Sequence, residues 1–313
     1  MRLLLIGFML SVLISNLTAQ SLQVAGGFDT RFRKSNDELN INTFELRGAF
    51  LNLRKVFSDE FGDRLILVTQ YDFEDNFRES HFYYTYAQIK GPMGKINFRV
   101  GRYILPFGLL AYYDTERLLL QTLERQSLGI KTDVGAQIFG YFGNFDYAFS
   151  LSNGVGRYWK DTDDNKLVIA RMGLNWEDTK FGISYLNGRV FTPTTREFPF
   201  ESYTYKQRVA IDIEHNYDLF TIRGELLYGS EEGRSIGGGF LEVDYSISSS
   251  LDLNLKYAAW NNITTKHFPG IGFSYNFLSG AYLRFADTFQ IINKKVVNNE
   301  FQIQIYVEFL SHI

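Results

Sequence analysis

Cationic side chains gather around one stretch of this chain. Arg99 and Arg102 precede it, Arg117 and Arg125 lie inside it, and Lys131 closes it. The planar fork of arginine suits carboxylate and phosphate. The chemistry on offer is therefore reversible contact with anions, not bond making. A second set of basic residues falls on one phase of alternating runs: Lys95, Arg171, Arg208, Arg223, Lys256 and Arg284. Acids share that phase: Asp72, Glu74, Asp133, Asp212, Glu214, Glu225, Glu242, Asp244 and Asp252. Mixed sign is what a wet wall carries, because neighbours pair across strands. Strong ion selectivity needs a ring of one sign. The arginines of the first group have an ordinary alternative, pairing with acids such as Glu116 and Glu124.

Other chemistries are poorly supplied. The 313 residues include no Cys, which removes disulfides, thiolate metal sites and cysteine nucleophiles. His81, His215, His267 and His312 lie far apart. A barrel lipase needs Ser and His on one outer face, and neither His81 nor His215 has an assignable Asn or Ser partner. The expectation is a protein that is not an enzyme and holds no cofactor or metal. A net charge of −3 lacks the basic excess of a nucleic-acid binder.

Period-two patterning sets the elements that must position these side chains. In 301–309 apolar Phe301, Ile303, Ile305, Val307 and Phe309 alternate with mostly polar residues. The same holds in 95–100, 208–214, 251–257 and 271–277. Successive side chains of a strand point to opposite faces, so one face is oily and the other wet. Sixteen such runs are readable, near 22–33, 43–56, 63–73, 81–90, 95–104, 132–142, 145–152, 167–176, 180–188, 206–216, 219–228, 237–246, 250–260, 269–277, 281–289 and 300–310.

Three features separate a membrane barrel from a soluble sandwich. Most runs reach the ~9–11 residues of a tilted membrane-crossing strand, against about 5–6 in soluble proteins. Aromatics gather at run ends, as in Phe139 to Phe142 and in Tyr275 and Phe277, which matches interfacial girdles. Connections alternate between tight turns, such as 143–144 and 217–218, and longer ones, such as 105–131, 153–166 and 189–205. Short turns opposite long outer loops complete the barrel signature. The fold expected is all-β: a transmembrane antiparallel up-and-down β-barrel of about sixteen strands. A barrel of that size leaves an aqueous lumen.

Residues 1–19 read as a signal peptide: Arg2, an apolar run from Leu3 to Ile14, then small and polar residues up to Ala19. The run is too short to span a bilayer. Residues 20–313 then form the barrel, with no plug domain ahead of it. Export without a membrane helix and a barrel pattern together place the protein in a bacterial outer membrane, with lipid as its surroundings. The mean hydropathy of −0.16 fits because it averages an oily and a wet face.

The longest connection, 105–131, is the third on the long-loop side. Loops beyond ~12–15 residues usually have a function. Asp114 is placed to cap a helix over 115–123 whose stripe is Leu118, Leu119, Leu120 and Leu123. Folded inward, the stripe would pack on the wall and narrow the pore; the alternative is a loop lying across the rim or at a subunit contact.

Gly101-Arg102, Pro106-Phe107-Gly108, Leu123-Glu124-Arg125-Gln126-Ser127 and Asp133-Val134-Gly135 resemble the third-loop region of the phosphate-selective porins, the porin O and porin P group. Ser150-Leu151-Ser152-Asn153-Gly154 and Phe44-Glu45-Leu46-Arg47 fit as well. The resemblance implies a sixteen-stranded barrel, usually a homotrimer, whose third loop constricts a channel for small anions or polar solutes. Two departures stand out. Residues 96–130 contain no Lys, although lysines there carry phosphate selectivity in the family. The family ends in an aromatic, whereas the last aromatic here is Phe309. The leading function is thus a diffusion porin with an anion preference at Arg99, Arg117 and Arg125. The competing one is a closed structural or adhesive barrel.

Overall fold

A computed structural model describes residues 18–36, 42–60, 62–74, 77–111, 127–157, 164–192 and 202–312, with Leu120, Leu123 and Asp161. The strands are β1 (Thr18–Ser35), β2 (Asn42–Asp59), β3 (Gly62–Glu74), β4 (Glu79–Lys90), β5 (Asn97–Ile104), β6 (Thr132–Phe142), β7 (Phe145–Ser152) and β8 (Leu167–Trp176). They continue as β9 (Thr179–Thr192), β10 (Ser202–Tyr217), β11 (Phe220–Glu231), β12 (Arg234–Ser248), β13 (Leu251–Asn261), β14 (Thr265–Leu278), β15 (Ala281–Ile292) and β16 (Lys295–His312). Each pairs antiparallel with the next, and β16 pairs with β1 to close the barrel. Closure leaves no strand edge unpaired, which a bilayer demands.

All sixteen expected runs are strands, and β6, β7 and β8 have the expected bounds. Several others run further toward the long-loop end. The ninth reaches Thr192 and not 188, the tenth starts at Ser202 and not 206, and the fourteenth at Thr265 and not 269. Apolar alternation marks only the part of a strand that faces lipid. Backbone pairing carries the ladder beyond it, through Tyr203, Lys206, Lys266 and His267.

The fifth run is a correction in the other direction. It was expected from 95, but β5 begins at Asn97. Met93 and Gly94 both take positive φ, and the Gly91 amide donates to the Ile96 carbonyl at 2.9 Å. The turn therefore consumes Lys95, which sits exposed at the short-turn rim and not on the pore wall.

The outward face is apolar across the middle of the barrel. Val209, Ile211, Leu241, Leu255 and Ile305 are all exposed there. Outward aromatics mark both ends: Phe142, Phe145, Trp176, Tyr217 and Phe220 by the short turns, Phe82, Tyr205, Tyr228 and Tyr257 by the long loops. The inward face carries Asp29, Arg31, Arg208, Asp212, Glu242, Lys256, Gln302 and Gln304, all buried from outside solvent by the wall.

That inward face is not polar throughout, contrary to the simple alternation. Leu167, Ile169, Leu186, Val190, Leu227, Ile236, Phe240 and Trp260 form one buried apolar patch on β8, β9, β11, β12 and β13. Leu105, Phe107, Leu109, Leu123 and Leu128 pack against it. The connection between β5 and β6 therefore enters the barrel and lies against the opposite wall. Apolar side chains can point inward there because chain, not water, covers them.

Candidate functional site in the lumen

The third long connection is tied to the far wall by hydrogen bonds as well as by packing. The Gly108 amide donates to Ser184 Oγ of β9 at 3.0 Å, and the Leu109 amide donates to Glu225 Oε2 of β11 at 2.9 Å. Two lysines reach from the wall to loop carbonyls. Lys206 Nζ donates to Leu128 O at 2.9 Å, and Lys256 Nζ donates to Leu120 O at 3.0 Å. Leu120 also packs on Ala286 of β15. Gly108 has φ of 57°, and a Cβ there would lie 2.1 Å from the Glu225 carboxylate. Only glycine combines that backbone with so close an approach. The expected helix over 115–123 and its Leu118 and Leu119 lie outside the described residues; Leu120 and Leu123 are both buried.

The cations expected to line the pore are mostly neutralised in place. Arg171 pairs with Asp212, its Nη2 donating at 2.8 Å, with both side chains almost fully buried. Arg208 Nη2 lies 3.0 Å from Glu231, and Lys256 Nζ lies 3.1 Å from Glu242. Arg223 sits among Glu214 at 2.9 Å, Glu242 at 3.3 Å, and Asp244. Arg284 donates to Gln304 at 3.1 Å and lies over the Tyr282 and Tyr306 rings. This is the mixed-sign wall that the shared phase of acids and bases implied.

The first group of cations divides. Arg99 projects into the lumen with its guanidinium 4.5 Å from the ring centres of both Tyr86 and Phe139. Its nitrogens donate to Gln88 Oε1 at 2.9 Å and Gln137 Oε1 at 3.2 Å. Arg102 is a correction: it is buried and donates to the Gly156 carbonyl at 2.6 Å, so it braces the next long connection and does not face the open lumen. Gly101, with φ of 125°, breaks the alternation just before it, and both Arg102 and Tyr103 are buried as a result. Lys131 Nζ lies 5.3 Å from the Tyr83 ring centre. Arg117 and Arg125 lie outside the described residues.

Asp133 has a similar bracing role. Its carboxylate accepts from the Val155 and Gly156 amides at 3.3 and 3.2 Å, and also from Gly154. The motif residues Asp133 and Gly154 thus meet in space. Sequence reasoning passed over Lys206, Gln88 and Gln137. Lys206 shares the phase of Arg208 and Asp212, which was signal enough. The two glutamines become meaningful only through register, being the direct cross-strand partners of Arg99 on either side.

Among the described residues, Asp72, Glu74 and His81 bring ligand-type atoms within 4.8 Å of one another. Arg157 already pairs with Glu74 at 2.8 Å, and Gln70 Nε2 donates to Asp72 at 2.8 Å. His215 Nδ1 lies 2.8 Å from Thr179 Oγ1, a contact between neighbouring strands.

No family model and no curated relative matches the chain. Solved structures do. The trimer form of OmpT from Vibrio cholerae matches with a TM-score of 0.73 at 11% identity, covering 93% of this chain and 100% of that one. An anion-selective porin from Comamonas acidovorans matches with a TM-score of 0.68 at 12% identity, covering 93% and 100%. OmpF from Salmonella typhi matches with a TM-score of 0.70 at 9% identity, covering 93% and 98%. The fold is that of an outer-membrane porin barrel. At these identities the likeness carries the architecture and leaves solute and selectivity to the residues of this chain.

Proposed function

We propose that this protein is an outer-membrane porin, a water-filled channel for passive diffusion of small hydrophilic solutes, with residues 105–131 as its constriction. The observation that carries the reading is the loop crossing the lumen from β5 and β6 and seated on β9, β10, β11 and β13. A wall of paired acids and bases stays hydrated, and a loop across it narrows the path without sealing it. A mild anion preference centred on Arg99 accompanies this reading, with Arg117 and Arg125 adding to it from within the loop. The Comamonas porin, described as anion-selective, supports that preference by analogy. A homotrimer is proposed on the same footing from the trimer form of OmpT. Residues 1–19 are proposed as the cleaved leader, so that β1 of the mature wall begins at Gln20 and loses Thr18 and Ala19. Phosphate specificity is no part of the proposal, because residues 96–130 contain no Lys.

Conductance in planar bilayers tests this directly. The wild-type protein should pass ions, and deletion of 106–130 should raise the conductance. An unchanged conductance would discard the constriction. No current from folded, reconstituted protein would favour the closed structural barrel. A reversal potential favouring cations would remove the anion preference.

A further inference from the structure

Toward the short-turn end, below the seated loop, the inner faces of β3 to β8 line a half-open cavity of about 800 Å³. Four cations line it: Arg64, Lys90, Arg99 and Arg171. Three are committed to carboxylates. Arg64 pairs with Asp59 at 2.7 Å, Lys90 with Asp63 at 3.2 Å, and Arg171 with Asp212. Arg99 is different. Its hydrogen-bond partners are the neutral amide oxygens of Gln88 and Gln137, and no carboxylate among the described residues pairs with it.

We propose that the cavity around Arg99 is a binding subsite for a small organic monocarboxylate with a planar or apolar body. The inference rests on the barrel being an open channel, which is what brings a solute to this wall. Tyr86 and Phe139 lie against the guanidinium and hold it in one orientation. Of its five N–H donors, Nε and one on Nη2 go to Gln88, and one on Nη1 goes to Gln137. One donor remains on each terminal nitrogen, the pair that a carboxylate accepts in fork geometry.

Charge count sets the valence of the ligand. Arg64, Lys90 and Arg171 are already paired, and Asp146 adds a carboxylate to the same lining, so Arg99 is matched by one negative charge and a second on the ligand would be desolvated without a partner. Lining sets the rest. Tyr84, Met93, Ile104, Pro106 and Tyr141 add ring and aliphatic surface to the lining of the same cavity. An inorganic ion would leave that surface unused, and a neutral ring would leave the fork unpaired.

Calorimetric titration of detergent-folded protein with benzoate tests the subsite, with acetate, phosphate and benzyl alcohol as comparators. Benzoate should bind about tenfold or more tighter than each of the other three. Arg99→Gln should weaken benzoate about tenfold. Arg99→Lys, which keeps charge and loses the fork, should fall between the two, and it serves alone if the glutamine variant does not fold. Benzoate equal to acetate or to benzyl alcohol overturns the proposal, as does unchanged benzoate binding in either variant. Bilayer current is read in parallel. A protein that conducts but binds no benzoate refutes the subsite alone; one that binds benzoate but carries no current refutes the channel and leaves the subsite standing.

Discussion

Arg171 on β8 and Asp212 on β10 are not neighbours in the sheet; β9 runs between them. The residue in the way is Gly182, directly opposite Asp212, and a Cβ there would lie 2.1 Å from an Arg171 nitrogen. The missing side chain is what lets the guanidinium cross a strand to its partner. The pair is buried, so removing one member leaves the other charged and unsolvated. Asp212→Ala should cost about 3–5 kcal/mol, read as a lower denaturant midpoint of the folded barrel. The double replacement Arg171→Met with Asp212→Leu should recover most of that loss, because a buried ion pair rarely outperforms apolar packing. A double variant as unstable as the single one would contradict the pairing. Sequence phase identified both residues as inward, but their partnership across three strands depended on Gly182.

At the scale of the element, the seated loop is the part whose position matters most. Its apolar residues and its four polar ties are separate contributions, and they can be tested separately. Gly108→Ala asks an L-residue to take φ of 57° against the Glu225 carboxylate. That conformation alone costs about 1–2 kcal/mol. The expected result is a loop partly unseated at its first turn, measured as higher and noisier single-channel current. Lys206→Met with Lys256→Met removes the ties to Leu128 and Leu120 while keeping the side-chain stems. Current noise should rise again, with the β-sheet circular dichroism unchanged. Quiet, wild-type traces from both variants would mean that packing alone seats the loop. The stripe of Leu120 and Leu123 was visible in the sequence as unsuited to open water. Its dock was legible too, in hindsight of chemistry, because Leu226–Leu227, Phe240–Leu241 and Val168–Ile169 are apolar on both phases. A two-sided apolar stretch in a barrel strand says that something covers the inside.

For the whole molecule, the decisive surface is the outer one. Leu255 sits mid-strand in β13 with its side chain outward and exposed. Leu255→Arg would place a cation against lipid acyl chains and should cost about 2–4 kcal/mol near the bilayer midplane. The check is a lower folding yield into vesicles, with much less loss for Asn254→Arg on the inward face one residue away, where the new cation meets Asp244 and water. Equal losses at 254 and 255 would mean that the two faces are not oil and water. Closure of β1 on β16 runs over thirteen residue pairs, from Gln23 with His312 to Ser35 with Glu300. A barrel with that seam has no edge on which another chain can add.

The sequence by itself determined the fold class, the strand number and the two faces of the wall. Those follow from a local rule, the two-residue period of a strand, repeated sixteen times and interrupted by turns. It also marked the mixed sign of the lumen, since acids and bases share one phase. What only the tertiary structure decided is which charge meets which, and where the long loop goes. Arg102 turns from solute contact to brace because Gly101 breaks the phase. Lys95 drops off the wall because the turn at Met93 and Gly94 is longer than its hydropathy suggests. Among the four cations of its cavity, Arg99 keeps an open fork because its cross-strand neighbours are glutamines. Each of these depends on register between strands far apart in sequence, and period alone carries no register.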